Sequence, residues 1–466
     1  MKRHNPEVHD CKALVIDGNT TSRGALVNML RDIGVGNISQ ISRVADARHE
    51  LGLKSFDIVL CDYHFDKSSM TGQDLLDDLR ESQLLPYSTV FVMVTGERSY
   101  LKVVEAAESA LDSYLLKPHS AGALEERVLQ ALRRKRVLGY VFDAIREGDY
   151  AQAAKLCLKR FAAKDEFWLY AGHVGAELLM RLKDHASASA VYTNVYESEG
   201  LPWARLGMAR AEFESGQAPK AIRLLQSLIE DCPAYADAYD VMCRIHIEDG
   251  DLAAALETSR EASRFTPESI TRLQAQGMLA YLLGQTREAA QALDRSVRLG
   301  IKSKMFDHQT LVVMGLLHFD QREAGELGRV LARLEHAAQS RPGSVRLQWM
   351  ATAVGALHQL LSRDLPGCLT VARQLAADIA HTEFDCESAF NLLAVLVRMR
   401  RANIHLLEAD AWVAEVSQRF CVSKASCDML CIATGNDATY RALIQAAHVG
   451  IGSMAEDAMS HAISGA

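Results

Sequence analysis

Two kinds of hydrophobic pattern divide the chain. Up to about residue 136, short and nearly uninterrupted apolar runs alternate with amphipathic stretches; from residue 138 onward only the amphipathic pattern remains. Leu14 to Asp17, Ile38 to Ile41, Phe56 to Asp62, Thr89 to Thr95 and Ser113 to Leu116 read as five strands. The stretches between them read as helices: Ala25 to Leu30 behind the caps Asn19-Thr20-Thr21, Val44 to Leu51, Leu75 to Leu79 beginning near Thr71-Gly72, Leu101 to Leu111, and Ala121 to Arg133. Gly34 and Gly36 stop the first of these. Strands that are apolar on both faces belong to a parallel sheet covered on both sides. The pattern therefore predicts an α/β doubly wound (βα)5 domain over residues 1–137, followed by an all-α region.

The all-α region repeats. Gly216, Gly250 and Gly284 stand 34 residues apart, as do Ala221, Ala255 and Ala289, and Pro233 with Pro267. Gly148 and Ala153 lie 68 residues, two periods, before Gly216 and Ala221, and the missing member falls near Lys183 to Ala188. Glycine turns one helix into the next, the small alanine lets the two approach, and proline opens the exit turn. Small residue, glycine, alanine and proline on a period of 34 resemble the tetratricopeptide repeat, TPR, and the match is clearest from Leu206 to Pro233. A TPR-like solenoid is expected over 138–300. Residues 301–466 read as divergent repeats or a helical cap, with helices at Leu311 to Phe319, Leu327 to Ala338, Leu347 to Leu361, Cys368 to Ile379, Ala389 to Met399 and Leu406 to Val416. The segment after Thr434 is weakly patterned, and the last residues, Ser464-Gly465-Ala466, are expected to fray.

Composition narrows the function. A net charge of -8 argues against a nucleic-acid partner, the basic run Arg133 to Arg136 being what the end of a helix favours. No apolar stretch is long enough for a membrane span, and the polar start Met1 to Pro6 lacks a signal-peptide core. The ten cysteines have no framework spacing, so reduced thiols and a cytoplasmic location are expected. Cys421, Cys427 and Cys431 read as buried thiols rather than a zinc site, and His308, His318 and His358 as isolated core or surface residues. No Walker motif, kinase signature or nucleophile elbow occurs.

Asp62, Thr95 and Lys117 each close or follow an apolar strand. In an open parallel sheet the carboxyl ends of the strands gather at one edge, where ligands bind, which brings an acid, a hydroxyl and a cation together. With Asp17 after the first strand and the Tyr114-x-x-Lys117-Pro118 run after the fifth, residues 10 to about 136 resemble the receiver domain of two-component response regulators. The resemblance implies that Asp62 accepts a phosphoryl group from a sensor histidine kinase or phosphotransfer protein. Lys117 would then pair with the phosphoryl oxygens, Thr95 would hydrogen-bond to one, and Tyr114 would turn inward. Such a chain is a regulatory phosphoacceptor rather than an enzyme, performing at most self-phosphorylation and autodephosphorylation at Asp62.

The chain departs from that family in two places. Gly18 stands where the family carries a second acid that ligates Mg2+, and the loop after Asp62 is about two residues longer than usual and lacks the common proline. Magnesium would then bind through Asp62, the backbone carbonyl of His64 and waters, with Asp17 nearby. The helical region is expected to hold an unidentified protein or peptide along its concave face. By the repeat pattern, Arg210 and Arg244 face that groove beside a row of Phe213, Ile247 and Tyr281; each arginine taken singly reads first as a solvated residue, and the row equally as packing between repeats. Phosphorylation would control this output. The alternative is an adaptor or kinase-docking scaffold whose receiver is not phosphorylated.

Overall fold

The computed structural model describes residues 8–63, 89–95, 113–267, 269–301 and 306–464, together with Phe65, Gly72, Leu75, Leu76, Leu79 and Leu85. Contacts divide the chain into two units, residues 1–242 with 299–305 and residues 243–298 with 306–466.

The first domain is built on β1 (Lys12–Ile16), β2 (Asn37–Ile41), β3 (Ile58–Asp62), β4 (Val90–Thr95) and β5 (Ser113–Leu116), all parallel in the order β2-β1-β3-β4-β5. Because side chains alternate along a strand, each strand feeds two cores. Ala13, Val15, Ile58, Leu60, Val92 and Val94 pack with Leu26, Leu30, Leu124 and Val128 on one side. Leu14, Ile16, Val59, Cys61, Phe91 and Met93 pack with Ala47, Leu51, Leu75, Leu76 and Leu79 on the other. The helices on these faces are α1 (Thr20–Ile33), α2 (Val44–Leu53) and α3 (Ala121–Val137). Asn19 caps α1 by accepting from the N–H groups of Thr21 and Ser22, and Gly34 ends it at φ 107°. Of the helix expected near Leu75 to Leu79, only Gly72, Leu75, Leu76 and Leu79 are among the described residues. The helix expected at Leu101 to Leu111 lies outside them.

The rest of the described chain is helical. In order come α4 (Gly139–Arg146), α5 (Tyr150–Ala163), α6 (Trp168–Arg181), α7 (His185–Glu199), α8 (Pro202–Glu214), α9 (Ala218–Asp231), α10 (Ala236–Glu248), α11 (Leu252–Phe265) and α12 (Ile270–Leu282). These are followed by α13 (Thr286–Gly300), α14 (Gln309–Asp320), α15 (Ala324–Ser340), α16 (Val345–Leu361), α17 (Leu365–Ala377), α18 (Cys386–Arg401), α19 (Ala409–Phe420), α20 (Lys424–Ala433) and α21 (Ala438–Ser464). The last lies in the weakly patterned end of the region that the sequence reading took as helical. Its apolar positions follow no clear stripe, yet Asp437 caps it through the Tyr440 N–H, and its many alanines favour helix whatever the pattern.

One turn recurs throughout. Gly148, Lys183, Gly216, Gly250, Gly284, Arg322, Arg363 and Asn403 all have positive φ, between 56° and 80°. At each, the residue's N–H bonds back to the carbonyl three positions earlier and the following N–H to the carbonyl five positions before it, as in Gly148 to Ile145 and Asp149 to Ala144. This double bond satisfies the last carbonyls of the preceding helix. Asp149, Asp184, Asp251 and Asp364 then cap the next helix through their carboxylates. The turns are separated by 35, 33, 34, 34, 38, 41 and 40 residues. The repeat therefore persists past residue 300 with a longer period, and Lys183 fills the position that the sequence period left blank. Close approach explains the small residues: a Cβ on Gly207 would lie 2.4 Å from the Tyr192 ring, and one on Gly277 the same distance from Leu293.

Candidate functional site

Asp62 ends β3, Thr95 ends β4 and Lys117 follows β5, on three neighbouring strands. The β3–β4 register sets Asp62 opposite Val94, and the β4–β5 register sets Thr95 opposite Leu116. The Lys117 ammonium lies 3.0 Å from Asp62 Oδ2 and 3.3 Å from Asp17 Oδ2, so one cation bridges two carboxylates from β3 and the end of β1. Asp17 is completely buried and Asp62 nearly so, whereas the Lys117 side chain keeps about a quarter of its surface. An acid with a solvent-facing edge beside a half-buried cation can meet a charged donor from solution and neutralise what it receives. The side chains of Thr95 and Tyr114, and all of His64, lie outside the described residues.

The chain leaves Asp62 through a tight crossing. Tyr63 donates its N–H to the Val94 carbonyl, and the Gly72 N–H bonds to the Tyr63 carbonyl at 2.8 Å. A Cβ on Gly72 would sit 2.3 Å from the Asp62 carbonyl oxygen and 2.7 Å from Met93 Sδ, so the loop after the acid returns over a residue that has to be glycine.

Asp17 is held by the first turn of α1, of which the sequence reading singled out only Asn19-Thr20-Thr21, as caps. Its Oδ1 accepts the Asn19 N–H at 2.7 Å, its Oδ2 accepts the Ser22 hydroxyl at 2.6 Å, and its carbonyl accepts Arg23 Nη1 at 2.6 Å. A serine and an arginine in the first turn of a helix look like ordinary surface residues. What could have singled them out is their register: Ser22 is five residues past Asp17, on the turn that folds back over it. At Gly18, an added Cβ would meet Phe65 Cδ1 at 3.8 Å and the Ser42 carbonyl at 3.9 Å, which is ordinary contact.

The basic run at the end of α3 is engaged with the chain itself. Arg133 pairs with Glu166 at 2.7 Å, the Arg134 guanidinium lies 4.3 Å from the Tyr170 ring centre, and the Lys135 ammonium lies 4.9 Å from that of Phe142. Leu124, Val128 and Ala131 belong to the sheet domain's core, and Leu138, one residue past the helix, to the core of the first repeats. One helix thus roots both domains.

The expected groove residues fall in both units. In the first, Arg210 pairs with Glu177 at 2.9 Å, and the same carboxylate oxygen accepts the Tyr192 hydroxyl at 2.7 Å; Phe213 is half-buried on the same helix. In the second, Arg244 is exposed and pairs with Glu248 one turn along its helix, while Ile247 is half-buried. Tyr281 packs edge-on against Phe390 of α18, and its hydroxyl accepts from Arg398 at 3.5 Å. Arg398 also donates to Asp320, and Gln309 and Asn391 exchange amide hydrogen bonds at 2.7 and 2.9 Å. Helix α18 is buried from Ser388 to Met399.

Several buried cysteines are held protonated. Burial pushes the thiols of Cys157, Cys386 and Cys421 up to about 12 and that of Cys431 up to about 11, and a thiol is a poor nucleophile and ligand in that form. Cys61, beside Asp62, is raised well above the usual thiol value, first by burial and then by the two aspartates. Among the described residues there is no group of three His, Cys, Asp or Glu that could hold a metal, and no helix is long and apolar enough to cross a membrane.

A family model described as the response regulator receiver domain matches residues 13–129. Chemotaxis protein CheY of Pseudomonas aeruginosa is 32% identical over 123 residues, which cover 26% of this chain and 97% of that protein. Chemotaxis protein CheY-3 of Vibrio cholerae is 31% identical over 123 residues, 26% of this chain and 92% of that one. Among solved structures, the C-terminal part of a TPR repeat-containing protein from Cytophaga hutchinsonii covers 63% of this chain and 99% of its own, at 13% identity and a TM-score of 0.36. At that score the alignment adds nothing to what the period and the turns establish.

Proposed function

The chain belongs to the response regulator receiver family through residues 13–129, and from that membership we propose that Asp62 accepts a phosphoryl group and thereby controls what the helical repeats bind. The observation that carries the reading is the Lys117 bridge to Asp62 and Asp17. Phosphoryl transfer asks a protein mainly to position the group and neutralise its oxygens, and a cation already 3.0 Å from the acceptor does both. Thr95 supplies a hydroxyl to the phosphoryl group, and Tyr114 answers the change by repacking. The donor is a sensor histidine kinase or a phosphotransfer protein. The output is a protein or peptide held by the repeats; the candidate contacts are Arg210 and Phe213 within the first unit and Arg244, Ile247 and Tyr281 within the second, each unit taken by itself. The contacts of Arg133, Arg134 and Lys135 support α3 as the route between the two.

Receiver domains bind Mg2+ at an acidic pocket, and Asp17 and Asp62 are this chain's described share of one. Their surroundings do not fit a tightly held ion. Gly18 brings no carboxylate, Asp17 Oδ2 already accepts from Ser22 and Lys117, and magnesium demands near-ideal octahedral oxygen geometry. No step of this reading is routed through the ion.

Gly18 also favours a second reading, an adaptor whose receiver docks a kinase without being phosphorylated. Intact mass of the full chain after incubation with acetyl phosphate separates the two. The phosphoacceptor reading expects a phosphate-sized adduct on the wild type and none on Asp62→Asn. It further expects phosphorylated wild type and Asp62→Asn to differ in affinity for a repeat-bound partner. Equal affinities would remove the regulatory half of the reading.

A further inference from the structure

Building on the reading of Asp62 as the acceptor, we propose that its pocket compensates its own charge through Lys117, Ser22 and Arg23, so that phosphoryl acceptance proceeds without a divalent cation. Among the described residues, two acids face two cations there. Asp62 and Asp17 share the Lys117 ammonium at 3.0 and 3.3 Å, and Arg23 Nη1 reaches the Asp17 carbonyl at 2.6 Å. Where the family carries a second acid, this chain has Gly18. The extra negative charge that a divalent ion would offset is therefore missing from that position.

The hydrogen bonds follow the same logic. The buried Asp17 carboxylate takes three donors: the Asn19 N–H on Oδ1, and the Ser22 hydroxyl and Lys117 ammonium on Oδ2. A cation approaching Oδ2 would have to displace one of the last two, and a doubly charged one would be repelled by the ammonium. Ser22 therefore acts as a positioning residue. By fixing Asp17 it fixes the second anchor of Lys117, which keeps the ammonium beside Asp62 rather than in solvent.

The step balances without a further co-reactant. An Asp62 carboxylate oxygen attacks phosphorus, the bond from phosphorus to the acetate oxygen of acetyl phosphate breaks, and its electron pair leaves as acetate. No proton is taken up or released. The pocket gains one negative charge, which falls beside Lys117 at the moment it develops.

The test measures the rate of adduct formation on the full chain by intact mass, with acetyl phosphate and separately with phosphoramidate, in excess Mg2+ and in EDTA. The ratio of the two rates is the readout, because a variant that merely loses folded protein lowers both rates alike. Wild type is expected to keep the two rates within a small factor of each other. Ser22→Ala and Arg23→Gln are expected to lose roughly tenfold in EDTA, the lower end for residues that orient a functional group rather than touch the reacting atoms, and to recover part of it in Mg2+; Ser22→Thr is expected to behave as wild type. Gly18→Asp, whose Cβ would make only ordinary contact with Phe65 and Ser42, is expected to convert the chain to Mg2+ dependence. A wild-type adduct that forms in Mg2+ and fails in EDTA overturns this inference and leaves Asp62 as acceptor. No adduct under any condition, on protein shown folded by circular dichroism, overturns both.

Discussion

The first five turns between paired helices and the last three share one backbone conformation and differ in the residue that adopts it. Gly148, Gly216, Gly250 and Gly284 carry four of the first five, with Lys183 the exception; Arg322, Arg363 and Asn403 carry the last three. The hydrogen bonds are the same at all eight. What defines the repeat is therefore the pair of bonds closing each helix, and glycine is only the least strained way to make them. A non-glycine residue in this left-handed region costs about 1 kcal/mol or more. The later repeats draw on long-range polar pairs within the second unit, among them the buried Gln309–Asn391 exchange and Arg398 with Asp320. The earlier repeats add close approach at Gly207 and Gly277 to polar pairs of their own, such as Arg210 with Glu177.

That contrast can be tested by mutation, read out as urea unfolding followed by circular dichroism. The largest effect is expected at a close approach. Gly277→Val places atoms where Leu293 already lies 2.4 Å from the site of a Cβ, and should destabilise its unit by about 3 kcal/mol, the upper end for overpacking. A neutral result would mean that α12 and α13 separate easily and that the small residue is not needed. Next comes the later repeats' polar pair. Gln309→Leu leaves the buried Asn391 amide without the bonds it exchanges and should cost about 2 kcal/mol. Adding Asn391→Leu should return most of that loss; if the double variant is no better than the single, the pair is not a unit. The smallest effects are at the turns themselves and have opposite signs. Arg322→Gly should stabilise, and Gly284→Ala destabilise, each by about 1 kcal/mol. If Arg322→Gly also destabilises, its side chain supplies something the backbone does not, and the turns are not equivalent.

Much of the fold could be read from the residues. Apolar runs with no polar face announced a doubly covered parallel sheet, because only burial on both sides tolerates them. The period of 34 announced stacked helix pairs, because glycine and proline mark the ends of helices wherever they occur. The reading weakened after residue 300, where arginine and asparagine took over the turn: the conformation continued but its residue signature did not. It set no bounds for α21, whose alanines favour helix without drawing a stripe. The order of Asp62, Thr95 and Lys117 along the chain was enough to place them at neighbouring strand ends, since strand order and carboxyl-end geometry follow from the parallel sheet.

What the sequence could not supply were contacts made across the fold. Ser22 and Arg23 are unremarkable in a first helical turn until that turn closes over Asp17. The basic run of α3 is ordinary for a helix end until Glu166 and Tyr170 meet it. Tyr281 sits on a regular row until Phe390 and Arg398, more than a hundred residues later, pack against it. Local periodicity and strand order are determined by neighbours in the chain, so the sequence fixes them by itself. Which side chain meets which across the fold depends on how whole elements pack, and only the tertiary structure decides that.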